Sequence, residues 1–310
     1  MKKLFVGVDG GASKTSAMLL DGSGKVLAES FSGGSNASVF GLKKSFASIE
    51  NAVKEITKNI KSDAEVFGCF AIAGVDTQGQ KKDWEKLIKS NVYFLKLFSD
   101  MPMVVNDTLA AMRSGTGEKD AIVVISGTGS NCLGRNKAGK FAKAGGLDYL
   151  LSDEGSGYFI GSLILKAIIK SLDGRGEKTA LSGLFQKAFR VKSLDEIVHL
   201  VYLKPWGKVE VATTAKLLEQ AIEIKDNVAA RIAGRAAWEL NEMIKAVAVK
   251  LGFGKRDRFT VVKSGSVFEN IYISKLLDKL VKADFANALC VRPEVSAAHG
   301  AAQLAYEAFS

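Results

Sequence analysis

The sequence predicts an α/β protein made of two similar units, the second of them rich in helix. Two observations lead to this fold class. A strand, a glycine turn and a returning strand occur near the start of the chain and again at residues 121–135, and helical apolar patterns follow each occurrence. With 310 residues, of which 47% are hydrophobic, the chain can form two packed cores.

The first unit begins with a predicted three-stranded meander, and its second turn is Asp21-Gly22-Ser23-Gly24. The predicted strands are residues 4–9, 16–20 and 25–30. A helix that can cover this sheet follows, because apolar residues recur at intervals of three and four and therefore share one face. These residues are Leu42, Phe46, Ile49, Val53, Ile56 and Ile60.

Two short apolar runs in the first unit predict buried parallel strands. They are residues 66–73, which Gly74 follows, and residues 103–106, which end in Asn106. Because the carboxyl ends of such strands commonly carry function, Asp107, which follows the second run, is a candidate functional residue.

The second unit repeats the opening pattern and then becomes mostly helical. Strands are predicted at residues 121–126, 131–135 and 259–263, and the strongest helical periodicity is at residues 160–172 and 228–251. An alanine-rich helix at residues 297–309 follows Pro293. We therefore expect two domains: residues 1–115 joined by the helix at 297–310, and residues 116–296.

Three glycine turns could bind phosphate, because glycine lets backbone N–H groups approach an anion with no Cβ in the way. Residues 9–15 follow the first strand, residues 126–131 follow the first strand of the second unit, and residues 263–267 lie between a strand and a helix. Each turn alone is also typical of an ordinary hairpin or loop, and residues 9–15 do not match the P-loop pattern. Two such turns in matching positions indicate a phosphate-binding function.

Composition excludes several other functions. The first residues have two lysines and only a short apolar run, so neither a signal peptide nor a membrane span is predicted, and we expect a cytoplasmic protein without a membrane partner. Cys69, Cys132 and Cys290 lie far apart, without zinc or redox spacing. The net charge of +10 is spread over separate lysines, which suits anionic nucleotides but does not indicate nucleic-acid binding.

In this order and spacing the three turns resemble the phosphate 1, phosphate 2 and adenosine motifs of the superfamily that contains acetate kinase, sugar kinases and actin. The chain further resembles the BadF/BadG/BcrA/BcrD-type ATPase group, especially its N-acetylglucosamine kinases. The motifs concerned are Ser35-Asn36, Asn106-Asp107, residues 125–131, Gly145-Gly146 and residues 152–157. The similarity runs from Val6 to about Ala302, and it implies two RNase-H-like lobes around a cleft for ATP and sugar.

The resemblance also implies the site residues of a kinase that uses ATP and Mg²⁺ to phosphorylate a small sugar. Asp107 is the expected catalytic base. The expected ATP contacts are Gly10, Gly11, Ser13, Lys14, Thr15, Gly127, Thr128, Gly129, Ser264, Gly265, Ser266 and Val267. The expected sugar contacts, besides Asp107, are Asn36, Ala37, Ser130, Asn131, Gly145, Gly146, Asp148 and Asp153. The family tends toward dimers, so we expect a homodimer.

Two of the expected carboxylates have an alternative role. Asp107 suits proton acceptance from an attacking hydroxyl, but both Asn106 and Asp107 also suit the N-cap of the helix that follows. Asp9 suits Mg²⁺ binding through water, but an aspartate beside a turn is also common as a turn cap.

The sequence departs from the related kinases after the double glycine, where tryptophan and glycine are usual but Leu147-Asp148 is found. Asp148 could accept from a further sugar hydroxyl or meet an amine. We therefore expect N-acetylglucosamine, phosphorylated at its 6-hydroxyl, as the acceptor, with N-acetylmuramic acid, glucosamine and glucose as alternatives.

Two functions of other classes remain as alternatives. The same group contains ATP-driven activators of acyl-CoA dehydratases and reductases, which hold an iron–sulfur cluster, but Cys69 and Cys132 do not lie in stretches that resemble a cluster site. A sugar-responsive repressor with this fold would need an added DNA-binding module, whereas the predicted first strand begins at Leu4.

Overall fold

The computed structural model describes residues 2–61, 63–203 and 206–310, which divide into two compact units. The first unit extends to Gly117 and also includes Arg292–Ser310, and the second is Glu118–Val291. Each unit contains one five-stranded sheet with helices, as expected for an α/β fold. None of the helices in the described ranges has both the length and the apolar composition that a bilayer crossing requires.

The first unit contains five strands and six helices among its described residues. In chain order they are β1 (Lys2–Gly10), β2 (Thr15–Asp21), β3 (Val26–Ser32), α1 (Ala37–Phe40), α2 (Leu42–Thr57), β4 (Ala64–Ile72), α3 (Gln78–Ser90), α4 (Val92–Leu97), β5 (Met103–Asn106), α5 (Asp107–Arg113) and α13 (Ala297–Phe309).

The second unit has five strands, seven α-helices and two short 3₁₀ turns among its described residues. They are β6 (Ala121–Ser126), β7 (Ser130–Arg135), β8 (Phe141–Gly145), α6 (Gly157–Leu172), α7 (Ala180–Phe189), α8 (Leu194–Leu203), α9 (Lys208–Thr213), a turn at Thr214–Lys216, α10 (Leu217–Glu223), α11 (Asn227–Leu251), β9 (Thr260–Ser264), a turn at Ser266–Glu269, α12 (Ile271–Asp284) and β10 (Leu289–Val291).

The two sheets have the same strand order. The first is β3-β2-β1-β4-β5, and the second, read in the matching direction, is β8-β7-β6-β9-β10. In both sheets the first three strands form an antiparallel meander, and the last two run parallel to the central strand. The recurrence of one α/β unit, predicted from the two glycine turns, is therefore confirmed.

Helices cover both faces of the first sheet. Val6 and Val8 of β1 pack in the same core as Ile49 and Val53 of α2, as the apolar spacing of that helix predicted. Phe5 points the other way, because successive side chains of a strand alternate between faces, and it packs with the alanines of α13. Of the predicted helix face, Ile60 lies beyond the end of α2 at Thr57.

The approach of α13 to the sheet is close enough to require glycine. A Cβ on Gly7 of β1 would lie 2.1 Å from the carbonyl oxygen of Ala298, and a Cβ on Gly300 would lie 2.3 Å from that of Ala110 in α5. Real Cβ atoms do not come this close to backbone atoms, so the small residues on these three elements set the distance between helix and sheet.

The long helix α11 forms the core of the second unit together with the sheet. Its buried residues Ile244, Val247 and Leu251 pack with Ile122 and Cys132 of the sheet. The predicted helix near Glu269 begins later, because residues 266–269 form a 3₁₀ turn and α12 starts at Ile271. Strands β8 and β10 were not predicted, since β8 is mostly half-exposed and β10 has only three residues.

Candidate active site

The parallel strands of the first sheet end at the same level. Gly10 of β1 is paired with Ile72 of β4, which in turn is paired with Asn106 of β5. Two further backbone hydrogen bonds hold the loops that follow, since Ala73 N donates to Gly10 O and Ser35 N donates to Gly11 O. This edge therefore collects the first glycine loop, the segment with Asn36 and the residue Asp107.

The first glycine loop, residues 11–14, joins β1 to β2 and is fixed at its base. Gly11 N donates to Lys14 O at 3.0 Å, and the buried Thr15 hydroxyl lies 2.7 Å from both Gly33 O and Ser35 Oγ. Thr15 therefore holds the loop to the segment at residues 33–35, whereas Ser13 and Lys14 are exposed. Within the described residues, the N–H groups of Ala12 and Ser13 make no hydrogen bond, so they can donate to an anion.

Asp9 is the penultimate residue of β1, two residues before this loop. Burial raises the pKa of its carboxyl to about 6, although the charge of Lys14 acts in the opposite direction. Among the described residues no cluster of three or more metal-ligating side chains is found. A single carboxylate still fits Mg²⁺, which commonly takes one or two protein carboxylates and fills its other positions with phosphate oxygens and water.

The helix that follows β5 is capped by Asn106, not by Asp107. Asn106 Oδ1 accepts from Thr108 N at 3.0 Å, and Asn106 Nδ2 donates to Asp76 Oδ1 at 3.3 Å. Asp107 is the first residue of α5 and is half-buried. The alternative role of an N-cap, which the sequence left open for both residues, therefore belongs to Asn106.

Asn36 and Ala37 lie where the chain enters α1. Asn36 is the N-cap of that helix, with its Oδ1 accepting from Ser38 N at 2.9 Å. A Cβ on Gly74, which has a φ of 82°, would lie 3.2 Å from Asn36 Oδ1. The loop after β4 therefore approaches the side-chain amide of Asn36 closely. The Nδ2 group of that amide remains able to donate to another partner.

In the second unit, the second and third glycine loops lie side by side. Ile125 of β6 is paired with Ser264 of β9, so both loops leave the sheet at one edge. Gly265 has a φ of 103°, and a Cβ on it would lie 2.3 Å from the carbonyl oxygen of Ser126. Glycine at this position thus brings the two loops into direct backbone contact.

A pocket of about 450 Å³ opens between these two loops and the helices of the second unit. Four predicted ATP contacts line it, namely Gly127, Thr128, Ser266 and Val267. Gly129, Ser264 and Gly265 do not line it. The remaining wall, which the sequence did not predict, consists of Gly157, Ile160, Val209, Ala212, Thr213, Ala215, Lys216, Glu219, Glu269, Asn270 and Ile273.

The second glycine loop turns its carbonyl groups toward the protein and leaves amides for a ligand. Gly157 N donates to Gly127 O at 2.7 Å, and Tyr158 N donates to Thr128 O at 3.2 Å. The N–H groups of Thr128 and Gly129 have no hydrogen-bond acceptor within the described residues. Unpaired N–H groups of this kind suit the oxygens of a phosphate.

Polar groups gather beside this loop around the double glycine. Ser130 N donates to Asp153 Oδ1 at 2.9 Å, and a Cβ on Gly146 would lie 2.7 Å from Asn131 Oδ1. Asn131 Oδ1 and Ser152 Oγ are buried without a hydrogen-bond partner among the described residues. Buried polar atoms are rarely unpaired, so these two favour a ligand with hydroxyl groups.

The segment that carries these groups has an unusual backbone. Five of its residues have positive φ angles: Gly145, Gly146, Asp148, Asp153 and Gly155. Asp153 is only 3% exposed and holds a φ of 71°, which is uncommon for a residue with a side chain and is typical of functional sites.

Lys208, which no sequence pattern indicated, joins two of the predicted sugar contacts. Its Nζ lies 2.5 Å from Asp148 Oδ1 and 2.5 Å from Asp153 Oδ2. The carboxylate of Asp148 is thus ion-paired with an amine of the protein itself, the side chain of Lys208. The hydrogen bond from Lys208 lowers the pKa of Asp148. Only the fold could reveal this contact, because 60 residues separate Lys208 from Asp148.

Two relatives that are named as amino-sugar kinases match nearly the whole chain. An N-acetylmuramic acid/N-acetylglucosamine kinase of Clostridium acetobutylicum is 33% identical over 318 aligned positions, which cover 98% of each chain. An N-acetyl-D-glucosamine kinase of Dictyostelium discoideum is 32% identical, also over 98% of each chain.

A solved structure shares the fold, and a family model matches the sequence. The structure is that of a protein described as a putative N-acetylglucosamine kinase from Chromobacterium violaceum, with a TM-score of 0.76 and 20% identity over 97% of this chain and 98% of that one. The model of the BadF/BadG/BcrA/BcrD ATPase family matches residues 6–305. Together with the loops and the pocket, these matches confirm the predicted resemblance: the chain belongs to the BadF/BadG/BcrA/BcrD ATPase family.

Proposed function

We propose that this protein is an ATP-dependent kinase that transfers the γ-phosphoryl group to a hydroxyl of an amino-sugar. The observation that carries the proposal is the pocket at residues 127–128 and 266–267, where two glycine loops meet beside a wall of polar and apolar residues. Its volume of about 450 Å³ suits a nucleotide-sized ligand. The names of the two relatives in Clostridium acetobutylicum and Dictyostelium discoideum support the reaction class.

In this proposal the second and third loops bind the nucleotide. Thr128 and Gly129 donate backbone N–H groups to phosphate oxygens. Gly265 does not line the pocket but brings the two loops together, and Ser266 and Val267 form the wall beside them. Ile160 and Ile273 offer an apolar surface for the adenine ring.

Asp107 is the proposed general base. Its carboxylate accepts the proton of the sugar hydroxyl as that oxygen attacks the γ-phosphorus, while the bond to the β-phosphate oxygen breaks and ADP departs. The position supports this role, because Asp107 follows the end of β5 and Asn106 already caps the helix. The carboxylate of Asp107 is therefore not required as the helix cap.

Asp9 and the first glycine loop are proposed to contact the phosphates of the nucleotide. Asp9 would hold Mg²⁺, which when bound neutralises charge on the phosphate oxygens. Ser13 and Lys14 are exposed and present further donors, whereas the Thr15 hydroxyl is engaged with Gly33 and Ser35.

The proposed acceptor is N-acetylglucosamine, phosphorylated at the 6-hydroxyl. The proposed sugar contacts are Asn36, Ser130, Asn131, Gly145, Gly146 and Asp153. The unpaired Asn131 Oδ1 supports this assignment. N-acetylmuramic acid is a second candidate, because the Clostridium acetobutylicum relative is named for both sugars.

A coupled ADP-release assay tests the function. Purified protein with Mg·ATP is given N-acetylglucosamine, N-acetylmuramic acid, glucosamine, glucose or N-acetylmannosamine, and the product is analysed for the position of the phosphate. We expect ADP release that depends on an amino-sugar. If none of the sugars stimulates ADP release, the kinase proposal is wrong.

A further inference from the structure

Lys208 is a partly buried lysine beside the second glycine loop. It is the first residue of α9, and its side chain is 26% exposed. Two carboxylates, those of Asp148 and Asp153, share its single ammonium group. The side chain of Asp153 is 4% exposed, whereas that of Asp148 is 66% exposed, so the two ion pairs differ greatly in their access to water.

The ammonium group lies against the second glycine loop. A Cβ on Gly129 would lie 2.9 Å from Lys208 Nζ and 2.8 Å from Asp153 Oδ1. In the second glycine loop, the N–H groups of Gly129 and its neighbour Thr128 have no acceptor in the described part of the chain. The same helix contributes Val209, Ala212 and Thr213 to the wall of the pocket. Lys208 therefore extends from the pocket wall toward the place where phosphate would bind.

We propose that Lys208 binds the terminal phosphate of the nucleotide, releasing Asp148 and keeping Asp153 as its buried partner. An ammonium group has three N–H donors, so it can bind a phosphate oxygen and Asp153 together. Release of Asp148 costs little, because an exposed ion pair contributes little and that carboxylate returns to water. This inference rests on the proposed function, since it assumes that ATP binds at the second loop.

The charges of the site support this role. Asp153 is a buried carboxylate beside a loop that is proposed to bind phosphate, and without a cation it would repel the ligand. Burial lowers the pKa of Lys208, but its hydrogen bonds and ion pairs with Asp148 and Asp153 outweigh that effect and raise the pKa above the ordinary lysine value. The side chain is therefore charged at neutral pH.

The competing explanation is that Lys208 only compensates the buried charge of Asp153. The two roles are separated by equilibrium binding of Mg·ADP and of a non-hydrolysable Mg·ATP analogue, measured by calorimetry without sugar. The variants are Lys208→Met, Lys208→Arg and the double variant Asp153→Asn with Lys208→Met, which removes the cation and the buried anion together. Lys245→Met is the matched control, since Lys245 is ion-paired with Glu242 on α11 and does not line the pocket.

For Lys208→Met we expect roughly 10- to 100-fold weaker binding of the ATP analogue, as for loss of one charge-assisted hydrogen bond, and about threefold or less change for ADP. The double variant should show the same loss of preference for the ATP analogue. Lys208→Arg should retain most of the preference, and Lys245→Met all of it.

An equal loss of ADP and ATP-analogue binding in Lys208→Met, or recovery of the preference in the double variant, would show that Lys208 only compensates Asp153. If Lys208→Met keeps the same ratio of ATP-analogue affinity to ADP affinity as the unmodified protein, the inference is also wrong, while the proposed function stays intact. If the unmodified protein binds neither nucleotide, the proposed function fails, and this inference fails with it.

Discussion

Gly265 and Ser126 are in backbone contact, with no room for a Cβ between the α-carbon of Gly265 and the carbonyl oxygen of Ser126. Replacement of Gly265 by alanine should therefore separate the two loops of the pocket. We expect Gly265→Ala to weaken nucleotide binding by at least about tenfold, measured by calorimetry with Mg·ADP, and to lower the free energy of unfolding by about 2 kcal/mol or more.

Gly139→Ala is the control for the backbone effect alone. Gly139 has a φ of 80°, and a Cβ there would meet no atom within 4 Å. This variant should lose only about 1 kcal/mol of stability and should bind nucleotide normally. Equal nucleotide affinities in the two variants would contradict the contact between the loops as the cause.

Removal of the proposed base should stop the chemistry without stopping binding. We expect Asp107→Asn to lower kcat by about 10²- to 10⁴-fold, because general base catalysis contributes that much. The nucleotide dissociation constant should change little, which calorimetry can check on the same preparation. Unchanged turnover in Asp107→Asn would overturn its assignment as the base.

Asp9 should make the protein less stable as the pH rises. Its pKa is raised in the folded state to about 6 from an ordinary value of 3.8, so the folded protein holds this proton more tightly than the unfolded chain. The folded state is thus favoured by Asp9 at low pH, and that contribution is lost as the pH rises between about 4 and 6.

The Asp9→Asn variant tests this effect through chemical denaturation at several pH values. Its free energy of unfolding, relative to the unmodified protein, should increase by up to about 3 kcal/mol between pH 4 and pH 7. The same variant should lose Mg²⁺-dependent tightening of nucleotide binding. A stability difference that does not change with pH would contradict burial as the cause of the raised pKa.

Replacement of two helical glycines by alanine should change the free energy of unfolding in opposite directions. Gly300 of α13 faces the backbone of α5, so Gly300→Ala should lower the free energy of unfolding by about 2 kcal/mol or more. Gly234 of α11 has no atom within 4 Å of an added Cβ, so Gly234→Ala should raise it by about 0.5–1 kcal/mol. Thermal denaturation of both variants measures this, and destabilisation of the same size in both would contradict the close docking of α13.

The sequence predicted those parts of the molecule that depend on local pattern. Strands β1, β2 and β6 and helices α2, α11 and α13 follow from apolar periodicity, and the three glycine loops follow from composition. Strand β8 escaped prediction because its residues are mostly half-exposed, which leaves no apolar alternation to recognise. Lys208 and most of the pocket wall escaped for a different reason. They reach the site only through the packing of α6, α9 and α12, which are distant along the chain, and no short motif encodes such contacts.

The placement of α13 has a consequence for synthesis of the protein. Phe5, Cys69 and Ala71 lie on the face of the first sheet that α13 covers, but this helix is encoded almost 300 residues after Phe5. The second unit is continuous in sequence, and all of it emerges from the ribosome before α13 does. The first sheet is therefore synthesised well before the helix that covers this face, and the nascent chain exposes the apolar face to chaperones until α13 has been made.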